Sequence, residues 1–97
     1  MYPQLTHEDD FCRNQYGGEF KHGLKNGYGE FIVINGDRYK GYFLNGMRNG
    51  QGIEIFHNGE RYIGEYAVDK QNGLGTSYYA NGNIKYMGTW LNGTPHG

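Results

Sequence analysis

Histidines and acidic residues are the side chains of this sequence that could do chemistry. Residues 7–10 read HEDD and have metal-capable groups, but these groups are adjacent and include no ligand pair at an established spacing. His22, His57 and His96 lie near predicted turns, without a Ser, Cys or carboxylate at a recognisable catalytic distance. We therefore expect a solvated acidic segment at the start of the chain, no metal or cofactor, and no enzymatic activity.

Three Gly-x-Gly motifs, at residues 27–29, 50–52 and 73–75, could suggest a phosphate-binding loop. None continues to a third glycine at dinucleotide-binding spacing, and none ends in Gly-Lys-Ser/Thr. Phosphate binding of this kind also needs a helix N-terminus, and the sequence predicts no helix. We interpret the motifs as part of hairpin geometry.

The composition limits the class of protein. Ninety-seven residues fit one domain with a small core, and 18 Gly with only 2 Pro exclude a Pro-rich linker or a collagen triplet. A net charge of -1 offers no long-range attraction to nucleic acid or to an anionic membrane. The single Cys12 excludes an intrachain disulfide and fits a reducing compartment, and we predict neither a secretion signal nor a membrane span.

An internal repeat organises the chain from Tyr16 onward. Tyr16, Tyr39, Tyr62 and Tyr86 are spaced by 23, 23 and 24 residues, and each begins the phrase Tyr-x-Gly-x-aromatic. A two-residue spacing places these three side chains on one face of a strand, with the glycine leaving a slot between two rings. This face is predicted to be a packing face.

Second strands and turns follow each of these phrases. A Gly-x-Gly comes eleven residues after each of the first three tyrosines and leads into FIVI, IEIF or TSYY, which we predict as the second strands. Asn-Gly, the strongest hairpin signal because both residues tolerate the positive φ of a type I′ turn, begins at eight positions: 26, 35, 45, 49, 58, 72, 81 and 92. The pairs at 35, 58 and 81 are predicted to join successive repeats and the others to lie between the two strands of a repeat.

Two departures from the repeat are visible. Asp69 stands where the other repeats have Gly23, Gly46 and Gly93, and Asp can still adopt a left-handed conformation. One residue is inserted between Gly82 and Tyr86, which predicts a bulge or a looser turn.

The recurring phrase, with its Gly-x-x-x-Gly-x-Gly continuation, resembles the membrane occupation and recognition nexus (MORN) repeat over residues 16–97, about three and a half repeats. The resemblance implies an all-β fold: an elongated, twisted, single antiparallel sheet of successive hairpins. Repeats begin at Tyr16, Tyr39, Tyr62 and Tyr86. Residues 1–15 lie outside the pattern and are predicted to be a tail or a degenerate cap held by Phe11.

The two faces of the predicted sheet carry different side chains. The packing face carries the repeated aromatic residues Tyr16, Phe20, Tyr39, Phe43, Tyr62, Tyr66, Tyr86 and Trp90, with Phe31, Val33, Phe56 and Tyr79 of matching parity. The opposite face should be polar if it is solvated, yet it carries an apolar strip, which indicates an interaction surface, a covering dimer, or cover by the twist of the sheet. The predicted partner-binding residues are Ile32, Ile34, Tyr42, Ile53, Ile55, Ile63, Tyr78 and Met87, together with Trp90.

Family members are mostly viewed as interaction platforms, and lipid binding is the older proposal for them. The resemblance therefore implies a non-catalytic scaffold that binds other proteins or a second copy of itself, in a cytoplasmic, cytoskeletal or ciliary assembly. The alternative is peripheral binding to phosphoinositide membranes. A lipid-binding module favours clustered basic residues, whereas Lys40, Arg61 and Lys85 are interspersed with acidic residues.

The C-terminal strand is predicted to be an open edge. Gly93 and Gly97 align with Gly46 and Gly50, so the given sequence stops where the second strand of the fourth hairpin is expected to begin. An open edge exposes backbone donors and acceptors, so we expect either that the chain is cut from a longer repeat array or that another protein completes the sheet by strand addition. We expect a partner chain or a second copy against residues 85–91, in contact with Trp90.

Overall fold

Residues 14–96, described by a computed structural model, form one open sheet of eight antiparallel strands. Each strand pairs with the next in chain order, which confirms the predicted all-β meander of hairpins. The strands are β1 (Gln15–Lys21), β2 (Leu24–Ile32), β3 (Arg38–Leu44), β4 (Met47–Ile55), β5 (Arg61–Ala67), β6 (Lys70–Tyr78), β7 (Ile84–Leu91) and β8 (Thr94–Pro95).

Two-residue turns connect the strands within each repeat. In the second and fourth repeats Asn45–Gly46 and Asn92–Gly93 have positive φ at both positions, as the predicted type I′ turn requires. The third repeat uses Val68 and Asp69, with φ of 49° and 69°. Asp69 thus adopts the left-handed conformation expected of it, whereas a β-branched residue such as Val68 is rarely found there.

Five-residue loops, at residues 33–37, 56–60 and 79–83, connect successive repeats, and here the prediction of type I′ turns is wrong. In the first loop the Gly36 N–H donates to the Val33 carbonyl at 2.9 Å, and only the glycine has positive φ. Asn35 has no positive φ, and its side-chain oxygen accepts a hydrogen bond from the Asp37 N–H at 2.9 Å, which forms an Asx turn. Asn58 and Asn81 make the same bond two residues ahead.

The second strands begin before the predicted FIVI, IEIF and TSYY segments. The Gly-x-Gly motifs, and the Asn-Gly pairs at 26, 49 and 72, lie inside β2, β4 and β6 rather than in turns. Each second strand has two residues more than its partner, and these are absorbed by a bulge after the paired glycines. In the first repeat the register moves from Gly18↔Gly29 to Phe20↔Lys25.

The extra residue of the fourth repeat forms the expected bulge. Ser77 pairs with Tyr86 and Tyr78 pairs with Ile84, so that Lys85 has no opposite residue on β6.

The prediction that β7 is an open edge is wrong for the end of that strand. The chain turns back after Leu91, and β8 pairs with the end of β7 through Trp90↔Pro95 and Leu91↔Thr94. The His96 N–H also donates to the Thr89 carbonyl at 2.9 Å. β8 is only two residues long, so among residues 14–96 the backbone pairing along this edge of β7 is limited to Thr89–Leu91.

In the first three repeats the first tyrosine lies flat across a pair of facing glycines, and in the fourth Tyr86 lies over Gly88. The Tyr39 ring lies over Gly41 and Gly52, which are opposite each other in the sheet, and its hydroxyl donates to the Tyr42 carbonyl at 2.8 Å. Tyr16, Tyr62 and Tyr86 donate in the same way to the carbonyl three residues ahead, at 2.6 to 2.9 Å. The slot that the sequence predicted beside each glycine is therefore filled by the tyrosine ring itself.

The aromatic residues of the packing face form one continuous row, which we call the aromatic ladder. Neighbouring rings meet edge to face with centroids 5.0 to 5.4 Å apart, a geometry that the charge distribution of the rings favours. This core confirms the predicted packing face, and its members in spatial order are Phe20, Tyr16, Phe43, Tyr39, Tyr66, Tyr62, Trp90 and Tyr86.

Substitution of Gly41 by Val tests the role of the paired glycines. A Cβ at Gly41 would lie 2.6 Å from the Gln51 carbonyl oxygen and from the Gly52 Cα, which are backbone atoms and cannot turn away. We expect Gly41→Val to lower the free energy of unfolding by about 1 to 3 kcal/mol. Lys40→Val is the control, because the neighbouring side chain is exposed on the opposite face and should change stability by less than about 0.5 kcal/mol. Equal urea midpoints for the two variants would contradict the packing.

Candidate functional site

The face opposite the aromatic ladder, which we call the outer face, carries apolar side chains paired across neighbouring strands. Ile53 pairs with Ile63 at the middle of the sheet, and Tyr28 pairs with Tyr42 with their rings 5.4 Å apart. Farther along the array, Thr76 pairs with Met87. Strand register therefore brings distant parts of the sequence into one strip.

The structure exposes much of this strip. Ile53 and Ile63 are 38% and 40% exposed, and Met87 is 68% exposed. Tyr42 is also exposed, whereas Ile32, Ile55 and Tyr78 are half-buried. Seven of the nine residues predicted to bind a partner thus share the outer face.

Ile34 and Trp90 lie elsewhere. Ile34 is an exposed residue of the loop at 33–37, beyond the end of β2, because that strand ends at Ile32. Trp90 is part of the aromatic ladder, with 8% of its surface exposed, and its indole N–H donates to the Gly75 carbonyl at 3.0 Å. A partner could reach only the small exposed part of Trp90.

Sequence reasoning missed Tyr28 and Leu74 as members of the strip. Both are the middle residue of a Gly-x-Gly motif, where a strand was not predicted, and both are exposed on the outer face. The period-two alternation of β2 and β6 would have found them had each strand been extended by several residues toward its N-terminus.

Charged residues of the outer face occur on β2 and β3, with Glu30, Arg38 and Lys40, and on β5, with Arg61 and Glu65. Arg38 and Glu30 form an ion pair at 3.5 Å, and Lys40 pairs with Glu30 in the register. Beyond the central isoleucines, β6 and β7 present Leu74, Thr76, Tyr78, Met87 and Thr89, all uncharged. The outer face of β2 and β3 is therefore more charged than that of the central parts of β6 and β7.

Two shallow concavities lie beside the aromatic ladder on the inner face, which is the face that carries the ladder. Arg48 lines both of them. Its guanidinium donates to Asp69 Oδ1 at 2.8 Å and to the Asp69 carbonyl at 2.6 Å, and it lies 3.2 Å from Glu54. The Tyr66 hydroxyl donates to Glu54 at 2.6 Å. Arg48 thereby links the turn of the third repeat, with its strained Val68, to the second repeat.

Loop-to-loop contacts tie the other end of the repeats together. Asp37 accepts from the His57 backbone N–H at 2.7 Å, and its carboxylate lies 2.8 Å from the His57 ring. The side-chain hydrogen bond to His57 lowers the pKa of Asp37 below its ordinary value. Lys85, the bulge residue of β7, lies 3.3 Å from Glu60 in the loop between β4 and β5.

Candidate metal ligands do not converge in the described part of the chain. Among residues 14–96, no three His, Cys, Asp or Glu side chains form a group that could hold a metal ion. The HEDD segment at 7–10, Cys12 and Phe11 lie outside the described residues. No helix that could cross a membrane occurs within residues 14–96.

Comparison with known families agrees with the repeat seen in the structure. The MORN repeat matches four consecutive segments, residues 16–38, 39–61, 62–84 and 86–97. The chain belongs to the MORN repeat family. Comparison with curated proteins gives no match. Each complete MORN repeat here is one hairpin, with a tyrosine laid over paired glycines. The outer-face side chains differ between the repeats of this chain, as Glu30, Ile53 and Thr76 show at one aligned position.

Alkaline pH tests the burial of the MORN tyrosines. Burial raises the pKa of Tyr62 from 10.0 to about 12, and it also raises the pKa of Tyr39 and Tyr66. Above pH 10 the unfolded chain therefore releases protons that the folded chain retains, so the free energy of unfolding must fall as pH rises toward 12. Thermal melts over this range, with tyrosinate absorbance recorded in parallel, should show melting points that decrease with pH.

The matched control is Tyr62→Phe, which removes one of the retained protons and should weaken the pH dependence of the melting point. Melting points that stay constant between pH 10 and 12 would show that the tyrosines are not buried as described.

Proposed function

We propose that the chain is a non-catalytic protein-binding module, which joins a larger assembly through its outer face. The observation that carries this proposal is the exposed apolar strip centred on Ile53 and Ile63. Monomeric proteins rarely leave a contiguous apolar surface of this kind in water, and such patches mark interaction sites. The aromatic ladder already has its own packing, so the outer face is the surface that gains most from a partner.

The arrangement of charges supports a protein partner over a lipid surface. Binding to anionic lipids is strengthened by about 1 kcal/mol for each clustered Lys or Arg near the membrane. Here Arg38, Arg48 and Lys85 each have an acidic neighbour within ion-pair distance. Peripheral phosphoinositide binding remains the alternative proposal, and family resemblance alone suggests a cytoplasmic setting, including cytoskeletal or ciliary assemblies.

Capture from native extract tests the proposal. The chain is immobilised beside Ile53→Glu, which places a charge at the centre of the strip, and Val68→Asn, which changes an exposed apolar residue in a turn. Circular dichroism first confirms that both variants fold. We expect the parent chain and Val68→Asn to retain the same proteins, and Ile53→Glu to lose them. Equal retention by all three chains would contradict binding through the outer face.

The lipid alternative is tested on the same three chains with vesicles that contain phosphoinositide. We expect the chains to remain in the supernatant at physiological salt. Co-sedimentation of the parent chain that disappears at high salt would favour the membrane-binding alternative.

A further inference from the structure

The pair Ile53 and Ile63 lies midway along the array. Three strands precede β4 and three follow β5, so the two isoleucines flank the centre of the outer face. Both are exposed and opposite each other in the register. A two-fold axis that runs along the strands between β4 and β5 would therefore place Ile53 of one copy against Ile63 of another.

The central row of the outer face shows what such an axis would do to the charges. Strand pairing makes one continuous row across the sheet: Glu30, Lys40, Ile53, Ile63, Thr76 and Met87. The axis places Lys40 against Thr76 and Glu30 against Met87 of the second copy. Every charged residue of this row thus meets an uncharged one, and the two isoleucine contacts lie at the centre.

The neighbouring row gives the same result. It contains Ile32, Arg38, Ile55, Arg61, Tyr78 and Ile84. The axis places Arg38 against Tyr78 and Ile32 against Ile84 of the second copy. The axis also places Arg61 against Ile55 of the second copy, so the residue opposite each arginine of this row is uncharged.

An axis across the strands gives a different pairing. It would place Lys40 against Lys40 and Glu30 against Glu30 of the second copy, because it maps the central row onto itself. Like charges opposite each other are destabilising at an interface. The distribution of charge therefore selects the axis that runs along the strands.

We infer that a second copy of this chain covers the outer face, in a face-to-face dimer whose two-fold axis passes between Ile53 and Ile63. The inference rests on the proposed function and names its partner. The array measures 38 by 24 by 22 Å, so a face is comparable with the roughly 800 Å² that each partner of a stable interface buries. A two-fold interface of this kind is isologous, so each Ile53–Ile63 contact occurs twice. A net charge of -1 leaves little repulsion between copies.

Sedimentation equilibrium of the full chain tests the inference. The parent chain should sediment at twice its mass of 11.1 kDa, and Ile53→Glu and Ile63→Lys should each sediment as monomers. An equimolar mixture of these two variants should dimerise at least about tenfold more tightly than either alone, because the introduced carboxylate and ammonium then face each other and one isoleucine contact is kept. Val68→Asn, a change of an exposed residue in the turn between β5 and β6, should leave the dimer intact.

A second copy is excluded if the parent chain sediments as a monomer, if Ile53→Glu remains a dimer, or if the mixture of folded variants stays monomeric. Capture from extract separates this failure from that of the proposed function. A monomeric parent chain that still retains another protein, and loses it on Ile53→Glu, would leave the outer face as a binding site with a different occupant. A monomer that retains nothing would overturn both proposals.

Discussion

A tyrosine ring that lies over two facing glycines is the contact on which the rest of this sheet depends. A single-layer sheet has no second sheet or helix to bury its side chains, and it must cover its own backbone. The Tyr39 ring does so by lying across Gly41 and Gly52, where any side chain on either strand would occupy the space of the ring. Its hydroxyl reaches the Tyr42 carbonyl, so the polar end of the buried ring is satisfied within the same strand.

This contact explains the period of the sequence and the two unlike faces. Repetition of the tyrosine at each hairpin places the next aromatic residue edge-on against it, and the inner face becomes a closed row of rings. Within the described residues, every buried side-chain nitrogen or oxygen has a hydrogen-bond partner. The fold is therefore held from one side. The outer face is left to vary, and a partner can use it without disturbing the core.

Much of the fold could be predicted from the sequence because the same hairpin pattern recurs in each repeat. The Tyr-x-Gly-x-aromatic phrase correctly predicted the packing face, and the inserted residue before Tyr86 correctly predicted a bulge. The turns were harder, because Asn-Gly serves three backbone geometries here. Asn45–Gly46 forms a type I′ turn, Asn35 forms an Asx turn, and Asn26–Gly27 lies in a strand beside a bulge. The local pair of residues is the same, and only the length of each neighbouring strand distinguishes them.

The sequence predicts which residues of a strand point to the outer face, but it does not predict where each strand begins. Ile53 and Ile63 follow from strand parity alone, whereas Tyr28 and Leu74 required the strands to begin earlier than the β-forming residues do. The salt bridge between Arg48 and Asp69 joins residues 21 positions apart, and nothing local to either residue indicates it. Contacts between repeats depend on register, which a sequence fixes only through all of its hairpins together.

Proton NMR of the glycines tests the central claim most directly. A ring that lies flat over Gly29, Gly52 and Gly75 should shift their Hα resonances strongly upfield and give nuclear Overhauser contacts to the ring protons of Tyr16, Tyr39 and Tyr62. Gly82, which has no atom near the position of a Cβ, should keep an ordinary shift. Random-coil shifts at the three paired glycines, without contacts to the tyrosine rings, would contradict the account.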